Sequence, residues 1–328
     1  MDVDAFLDEV RSDPQYADQI VHVHVEPARV AVFASQEPDL SPALTEALGT
    51  LGIKSLYSHQ AIALARAQAG KDVVVATSTA SGKTLCYALR LLELLQQNPD
   101  TRALLVFPTK ALCQDQFQSF NRLLKAVGVT NCLAGVFDGD TPADLRRRLR
   151  DKGSVVFTNP DMIHAAMMTQ HGRWAEFLSS LSLIVLDELH VYSGILGSNM
   201  ALLLRRLFRV CRHYGSSPQI MALSATIANP GELFLKLTAR PCVVVDEDGS
   251  PRGTRTTVIW NPPRIRQTNW RSRRSANVEA HELMARLIAK GVPTITFSKA
   301  KMTAEMIYRY VCDKLREIAP QQTSKVTP

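Results

Sequence analysis

The sequence predicts a doubly wound α/β fold, a parallel sheet flanked by helices, followed by the start of a second α/β unit. Three observations carry that expectation. From about residue 70 short β-branched runs alternate with helical patterns. The runs are continuously apolar rather than alternating, which means burial on both faces, the mark of a parallel sheet under helices. A polar stretch rich in Gly, Pro and Arg, Glu247–Thr257, then interrupts the pattern before it resumes.

Taken in order, residues 1–50 read as an accessory segment. Within it Val21-His22-Val23-His24-Val25 alternates strictly and predicts a strand with both histidines on one face; two histidines without a third ligand suit a solvated face better than a metal site. Residues 51–248 read as the main lobe. Its strands are expected at Asp72–Ala76, Ala103–Phe107, Ser154–Thr158, Leu183–Asp187, Ile220–Ser224 and Cys242–Asp246. Apolar spacings of three and four predict helices over Gly82–Gln96, Leu112–Val127 and Asn199–His213. Glu247–Thr257 reads as a linker. Residues 249–328 then hold a strand (Thr257–Trp260), a loop (Pro262–Ser275), a helix (Asn277–Lys290), a strand (Thr294–Phe297) and a helix (Lys301–Ile318). Two strands and two helices cannot close a covered sheet, so the chain is expected to stop partway through a second lobe.

Composition narrows the class. The 328 residues are 46% hydrophobic and 21% charged, which excludes disorder, collagen and coiled coil. No run approaches the roughly 20 apolar residues of a membrane span. The acidic N-terminus resembles no signal or transit peptide, and a soluble, cytoplasmic protein is expected. Six cysteines at irregular spacing, with no C-x-x-C, predict free thiols in a reducing compartment. The net charge of +7 is uneven: residues 251–328 hold 15 Lys and Arg against 5 Asp and Glu, and the rest hold 23 against 26. Such asymmetry suits a polyanionic partner. The sequence carries no signal for oligomeric state.

Chemistry enters where the strand Asp72–Ala76 runs into Thr77-Ser78-Thr79-Ala80-Ser81-Gly82-Lys83-Thr84 and then a helix. A strand, a tight loop ending Gly-Lys-Thr and a helix make the context of a phosphate-binding loop. The amides of Ala80, Ser81, Gly82, Lys83 and Thr84, with Thr79 beside them, would face a phosphate at the positive end of the helix. Lys83 would reach the β- and γ-phosphates of ATP, and the Thr84 hydroxyl would ligate Mg²⁺. The first glycine of G-x-x-x-x-G-K-[ST] is Thr77 here. A second strand, Leu183-Ile184-Val185-Leu186, ends in Asp187-Glu188-Leu189-His190, placing Asp187 to hold Mg²⁺ and Glu188 to orient or deprotonate water. Lys83, Asp187 and Glu188 are the expected catalytic set, converging where neighbouring parallel strands end. A third strand ends in Ser224-Ala225-Thr226, whose hydroxyls would bond the acidic pair; with His190 they form an expected coupling group.

Ala-Ser-Gly-Lys-Thr, Asp-Glu-Leu-His and Ser-Ala-Thr, in that order, resemble motifs I, II and III of superfamily-two helicases of the DEAD/DEAH-box type. Around them, Leu56-Tyr57-Ser58-His59-Gln60 resembles the upstream glutamine motif, Phe107-Pro108-Thr109-Lys110-Ala111-Leu112 motif Ia, Thr158-Asn159-Pro160-Asp161-Met162 motif Ib, and Phe297-Ser298 with Lys299 and Lys301 motif IV. The resemblance implies RecA-like lobes, Gln60 reading the adenine edge, and Thr109, Lys110, Thr158, Asn159 and Ser298 contacting nucleic acid. Leu-Tyr-Ser-His-Gln, Phe137-Asp138-Gly139-Asp140-Thr141 and Trp260-Asn261-Pro262-Pro263 are similar to words of the bacterial MrfA/YprA branch, related to the eukaryotic Hrq enzymes. That branch implies an ATP-dependent DNA translocase moving 3′→5′ on single-stranded DNA or 3′-tailed duplex, with a role in DNA repair.

Departures from the pattern matter as well. Motif V and the arginine-bearing motif VI are absent, and arginines at developing phosphoryl charge are worth ~10³–10⁵ in rate. Weak ATP·Mg²⁺ binding, poor hydrolysis and no unwinding are therefore expected of this chain alone. Arg264, Arg266 and Arg271, with Arg273 and Arg274 and the flanking Trp260 and Trp270, suit a nucleic-acid strand by charge and stacking, or equally a mobile surface loop. Arg146, Arg147, Arg148 and Arg150 cannot share one helix face, so at least two should be solvated or paired. An RNA helicase and a non-hydrolysing, nucleotide-regulated binding module are the competing readings.

Overall fold

In the computed structural model, which describes residues 3–14, 16–265 and 272–327, the strands in chain order are β1 (Ile20–Glu26), β2 (Val73–Ala76), β3 (Arg102–Val106), β4 (Ala134–Val136), β5 (Val155–Thr158), β6 (Leu181–Leu186), β7 (Gln219–Ser224), β8 (Val243–Val245) and β9 (Arg255–Trp260). The chain divides into two units: Arg29–Arg252, and a second that joins Met1–Ala28 to Gly253–Pro328.

In the larger unit seven strands form one sheet in the order β4-β5-β3-β6-β7-β2-β8, every neighbouring pair parallel. The continuous apolar runs explain it. Val73 and Val75 of β2 enter one core layer with Leu105, Leu183 and Val185, while Val74 and Ala76 enter the opposite layer with Leu104, Ile184 and Leu186. Burying each such branched side chain is worth about 1.5–3 kcal/mol relative to exposure. Helices cover both faces, among them Lys83–Gln97, Lys110–Val127 and Gly194–His213. This is the RecA-like doubly wound arrangement. Because all strands run the same way, their carboxyl ends line one edge, and the loops after β2, β3, β5, β6 and β7 gather there.

The six strands expected in the main lobe all form, with bounds shifted by a residue or two. β4 was not anticipated, because three residues containing Gly135 carry no β-branched run. The expected divisions after residues 50 and 248 differ from the contact division. Leu44, Ala47 and Leu48 of the helix Pro42–Thr50 join the core of the larger unit, so only the first 28 residues pack elsewhere.

In the second unit β1 pairs antiparallel with β9, Val23 opposite Val258. His22 and His24 do share a face, their rings stacked with centroids 6.5 Å apart. The helices Ala276–Ala289 and Lys301–Ile318 pack around Ala285, Ile307, Val311 and Leu315. Thr294–Phe297, expected as a strand, forms no ladder among the described residues. Its large apolar side chains find no face to cover them: Ile295 is 75% and Phe297 84% exposed. Among the described residues no helix is long and apolar enough to cross a membrane, and the six cysteines are free thiols.

Candidate active site

The loop after β2 is built to bring backbone amides together at the start of the helix Lys83–Gln97. Ala80 and Gly82 take left-handed backbone, φ 61° and 80°. The left-handed backbone at Gly82 favours glycine, and a Cβ there would also displace the Gln60 carboxamide, whose Nε2 would lie 2.6 Å away. Thr77 is not among the positive-φ residues, and a side chain in place of the motif's glycine therefore carries no backbone penalty. Its hydroxyl instead closes the loop, 2.7 Å from Ser81 Oγ. Thr79 and Ala80 form the exposed crest. Lys83 Nζ donates to the carbonyls of Thr77 (3.0 Å) and Ser78 (2.7 Å). Burial lowers its pKa, with Glu188, Asp187 and Asp248 acting against that. The Thr84 hydroxyl donates to Gln116 Oε1 at 2.8 Å, which Tyr87 also reaches at 3.2 Å. Gln116, on the helix Lys110–Val127, was not foreseen because nothing near it forms a motif.

β6 delivers the acidic pair. Asp187 is 8% exposed, and its Oδ1 accepts the Glu188 amide at 2.9 Å. Burial, helped by the neighbouring Glu188 charge, pushes the Asp187 carboxyl up to about 6, against that amide and Lys83. Glu188 itself takes left-handed backbone, φ 50° and ψ 49°, a strained geometry for a residue with a side chain. Its Oε2 lies 3.3 Å from His190 Nδ1, and that nitrogen stands 3.5 Å from Ser224 Oγ and 3.4 Å from the Ala225 amide. One ring nitrogen cannot both accept from Ala225 and donate to Glu188, so His190 is a junction with two alternative partners. The expected bonds from Ser224 and Thr226 to the acidic pair do not form: Ser224 meets His190, and Thr226 is exposed at the turn. Nor are the two chemical strands adjacent, since β7 lies between β2 and β6. Ser224 thus occupies the tip between the phosphate loop and the carboxylates. Tyr192, which follows His190 closely, buries a hydroxyl with no partner among the described residues, a position no motif marks.

Mg²⁺ takes near-octahedral oxygen ligands, keeps several waters and is held by one or two protein groups plus substrate phosphates. The donor set fits: a carboxylate, Asp187, and a hydroxyl, Thr84, both hard oxygens. Among the described residues no group of three or more His, Cys, Asp and Glu could form an all-protein cage. On the other side of the loop lies a cleft of about 840 Å³ lined by Phe33, Lys54, Tyr57, Gln60, Gly82 and Thr84. Phe33 and Tyr57 stack with centroids 5.5 Å apart, offering an aromatic wall to a flat base. Gln60 faces this cleft, but its carboxamide is engaged: Oε1 accepts the Tyr57 amide and Nε2 donates to the Gly82 carbonyl, both at 3.0 Å. In this arrangement Gln60 ties the base side to the phosphate loop rather than presenting a free edge. A second cleft of about 900 Å³ lies between Pro160–His164 and the helix Gly194–His213 and contains none of these groups.

The residues expected to meet nucleic acid divide. Thr109 caps the helix Lys110–Val127, accepting the Leu112 amide at 3.3 Å; Asn159 accepts the Met162 amide at 3.0 Å. Lys110 is exposed and pairs with Asp140 at 2.7 Å. Thr158 turns inward, 1% exposed, and donates to the Phe137 carbonyl at 2.7 Å, so its hydroxyl does not face solvent as expected. Ser298 donates to the Ala300 carbonyl. Arg264 pairs by its backbone with Arg273, whereas Arg266 and Arg271 lie outside the described residues. Arg150 pairs with Asp151, and Arg147 and Arg148 are exposed, as the helix geometry demanded.

Residues 57–233 match the family model of the DEAD/DEAH box helicases, more than half of the chain. The chain belongs to the DEAD/DEAH box helicase family. Among curated relatives of this helicase chain, the uncharacterized ATP-dependent helicase YprA of Bacillus subtilis is 39% identical over 95% of the chain and 41% of its own length. ATP-dependent helicase HRQ1 of Saccharomyces cerevisiae is 35% identical over 93% of the chain and 28% of its own length. A crystal structure of the DUF1998 helicase MrfA bound to DNA and AMPPNP superposes with a TM-score of 0.86 and 38% identity, covering 95% of this chain and 43% of that one. The chain is thus similar to YprA, HRQ1 and MrfA, and it spans less than half the length of these relatives. Phe33, Gln116 and Tyr192, which sequence reasoning missed at this candidate site, sit outside short motifs. Contacts reveal the first two, the stacking of Phe33 on Tyr57 and the bond from Thr84 to Gln116, and burial of its hydroxyl reveals Tyr192.

Proposed function

We propose that this chain supplies the ATP-binding and nucleic-acid-binding part of an ATP-dependent DNA helicase. The observation that carries the reading is the gathering of the phosphate loop, Ser224 and the Asp187–Glu188 pair at the tips of β2, β7 and β6. Lys83 would hold the β- and γ-phosphates, with the loop amides around them and Phe33 and Tyr57 against the base. Thr84 and Asp187 would hold Mg²⁺, which when bound neutralises charge developing on the transferred phosphoryl group. Glu188, held by its strained backbone and His190, would orient the attacking water and accept its proton. His190 would report the change at Glu188 to Ser224 by exchanging partners.

DNA as the partner is supported by the DNA-bound MrfA structure and by the basic residues of the C-terminal segment. Thr109, Lys110 and Asn159, at the same sheet edge, are the proposed strand contacts; Arg264 and Ser298 belong to the proposal with less geometric support. Movement 3′→5′ and a part in repair rest on the branch resemblance, as do the assignment of residues 51–248 to a first RecA-like lobe and 249–328 to part of a second. Steady-state ATP hydrolysis by the 328-residue chain, with single-stranded DNA or RNA added, tests the reading. Weak turnover is expected, with any stimulation favouring DNA. Robust DNA-stimulated turnover would refute the need for the missing arginine motif, and preferential stimulation by RNA would overturn the choice of nucleic acid.

A further inference from the structure

Glu247–Thr257 carries the composition of a loose tether, yet its first residues are packed against the phosphate loop. Asp248 follows β8, the edge neighbour of β2, and reaches the loop from the side away from the acidic pair. Its Oδ2 accepts both the amide of Ser78 (3.2 Å) and the Ser78 hydroxyl. Its Oδ1 accepts the amide and hydroxyl of Ser250 at 2.9 and 2.7 Å. Arg29 completes the shell with Nη2 at 2.9 Å from Oδ2. Burial pushes this carboxyl up, but the hydrogen bonds from Ser78, Ser250 and Arg29 outweigh it and hold the group well below the usual range.

The next residue grips the other shoulder of the loop. The Gly249 amide donates to His59 Nδ1 at 3.2 Å, and His59 Nε2 donates to the Ser81 carbonyl at 3.1 Å. That fixes a neutral tautomer, consistent with the lowered pKa that burial imposes on His59 despite Asp248 nearby. No side chain fits at Gly249: a Cβ would stand 2.3 Å from Ser58 Oγ and 2.5 Å from the Val32 carbonyl. The anchor is braced in turn. Arg29 Nη2 bonds the Ser250 carbonyl at 2.9 Å, and the Arg29 backbone pairs with Arg252 in both directions, at 2.7 and 2.9 Å. Arg29 and Arg252 are the two residues at which the chain leaves the larger unit.

We propose that Asp248 is a positioning residue for the phosphate loop, fixing Ser78 to the paired chain crossings at Arg29 and Arg252. The geometry explains why. Ser78 offers its amide and hydroxyl to Asp248 and its carbonyl to Lys83, so the placement of the Lys83 ammonium depends on a peptide that Asp248 holds. Asp248 lines no part of the base cleft. Its loss should therefore act on the phosphate half of the ligand and leave the base half alone.

This inference rests on the nucleotide reading of the loop, and the test separates the two. Binding of MgATP and of adenosine is measured by calorimetry on the wild-type chain, Asp248→Ala and Asp248→Asn. Charge-assisted hydrogen bonds of this kind make a loss of about ten- to hundredfold in MgATP affinity the expectation for Asp248→Ala, with adenosine affinity within about twofold. Asp248→Asn, which keeps one acceptor, should lose less. Adding Ser78→Ala to Asp248→Ala should weaken MgATP no further. Unchanged MgATP affinity overturns the proposal, as does parallel loss of both ligands, which would mean that Asp248 holds the fold and not the loop. If Asp248→Ala fails to fold, Asp248→Asn is judged by the same criteria. Absence of MgATP binding by the wild-type chain would sink the nucleotide reading itself.

Discussion

Asp187 holds a carboxylate where burial penalises charge, and that sets a pH dependence with a definite sign. Its pKa rises from 3.8 to about 6 on folding, so the folded chain binds a proton that the unfolded chain has already lost between those values. Ionisation therefore costs stability as pH rises through 6, and the cost is absent below 3.8, where both states are protonated. About two pKa units correspond to roughly 3 kcal/mol. Replacing Asp187 by Asn should raise the melting temperature of the ligand-free chain at pH 7.5, and the advantage should vanish near pH 4. Thermal denaturation across that range checks it; a destabilised Asp187→Asn at pH 7.5 would contradict the desolvation account. A stabilising substitution at a buried strand-tip carboxylate is what a residue kept for its ligand rather than for the fold would show.

Elements show how far local pattern reaches. The buried strands were legible because Val73–Ala76 and Leu183–Leu186 are apolar at every position, which only a sheet covered on both faces accommodates. The Gly-Lys-Thr turn and the Asp-Glu strand tip were legible because each motif lies within one loop. Contacts across the fold were not. Glu247–Thr257 looks like a tether until Asp248 is seen against Ser78, 170 residues away. Likewise Phe33 becomes a cleft wall only because Tyr57 stacks on it. Thr109 illustrates a residue with two readings at this scale. As the N-cap of Lys110–Val127 it accepts the Leu112 amide, and its replacement by alanine should cost about 1 kcal/mol of stability. Thr109→Ser keeps the capping oxygen and should unfold like wild type in urea. If Thr109→Ala is equally stable, the cap is dispensable and only a nucleic-acid contact would remain to explain the residue.

For the whole molecule, the basic excess of residues 251–328 is less free than the charge arithmetic suggests. Arg274 pairs with Glu279 and Glu282, and Arg286 and Lys290 pair with Asp13 and Glu9 of the N-terminal segment. The acidic N-terminus is thus a structural counterpart of that segment within the second unit. What unites the larger unit is a sheet whose strand tips supply a lysine, a hydroxyl and two carboxylates to one edge. The most direct test of that claim is calorimetric binding of ATP to the 328-residue chain with and without Mg²⁺, compared with Lys83→Ala and Asp187→Asn. The account predicts saturable binding strengthened by Mg²⁺ in the wild type, at least tenfold weaker binding in Lys83→Ala, and no Mg²⁺ effect in Asp187→Asn. Equal affinities in all three chains, with the same response to Mg²⁺, would contradict it.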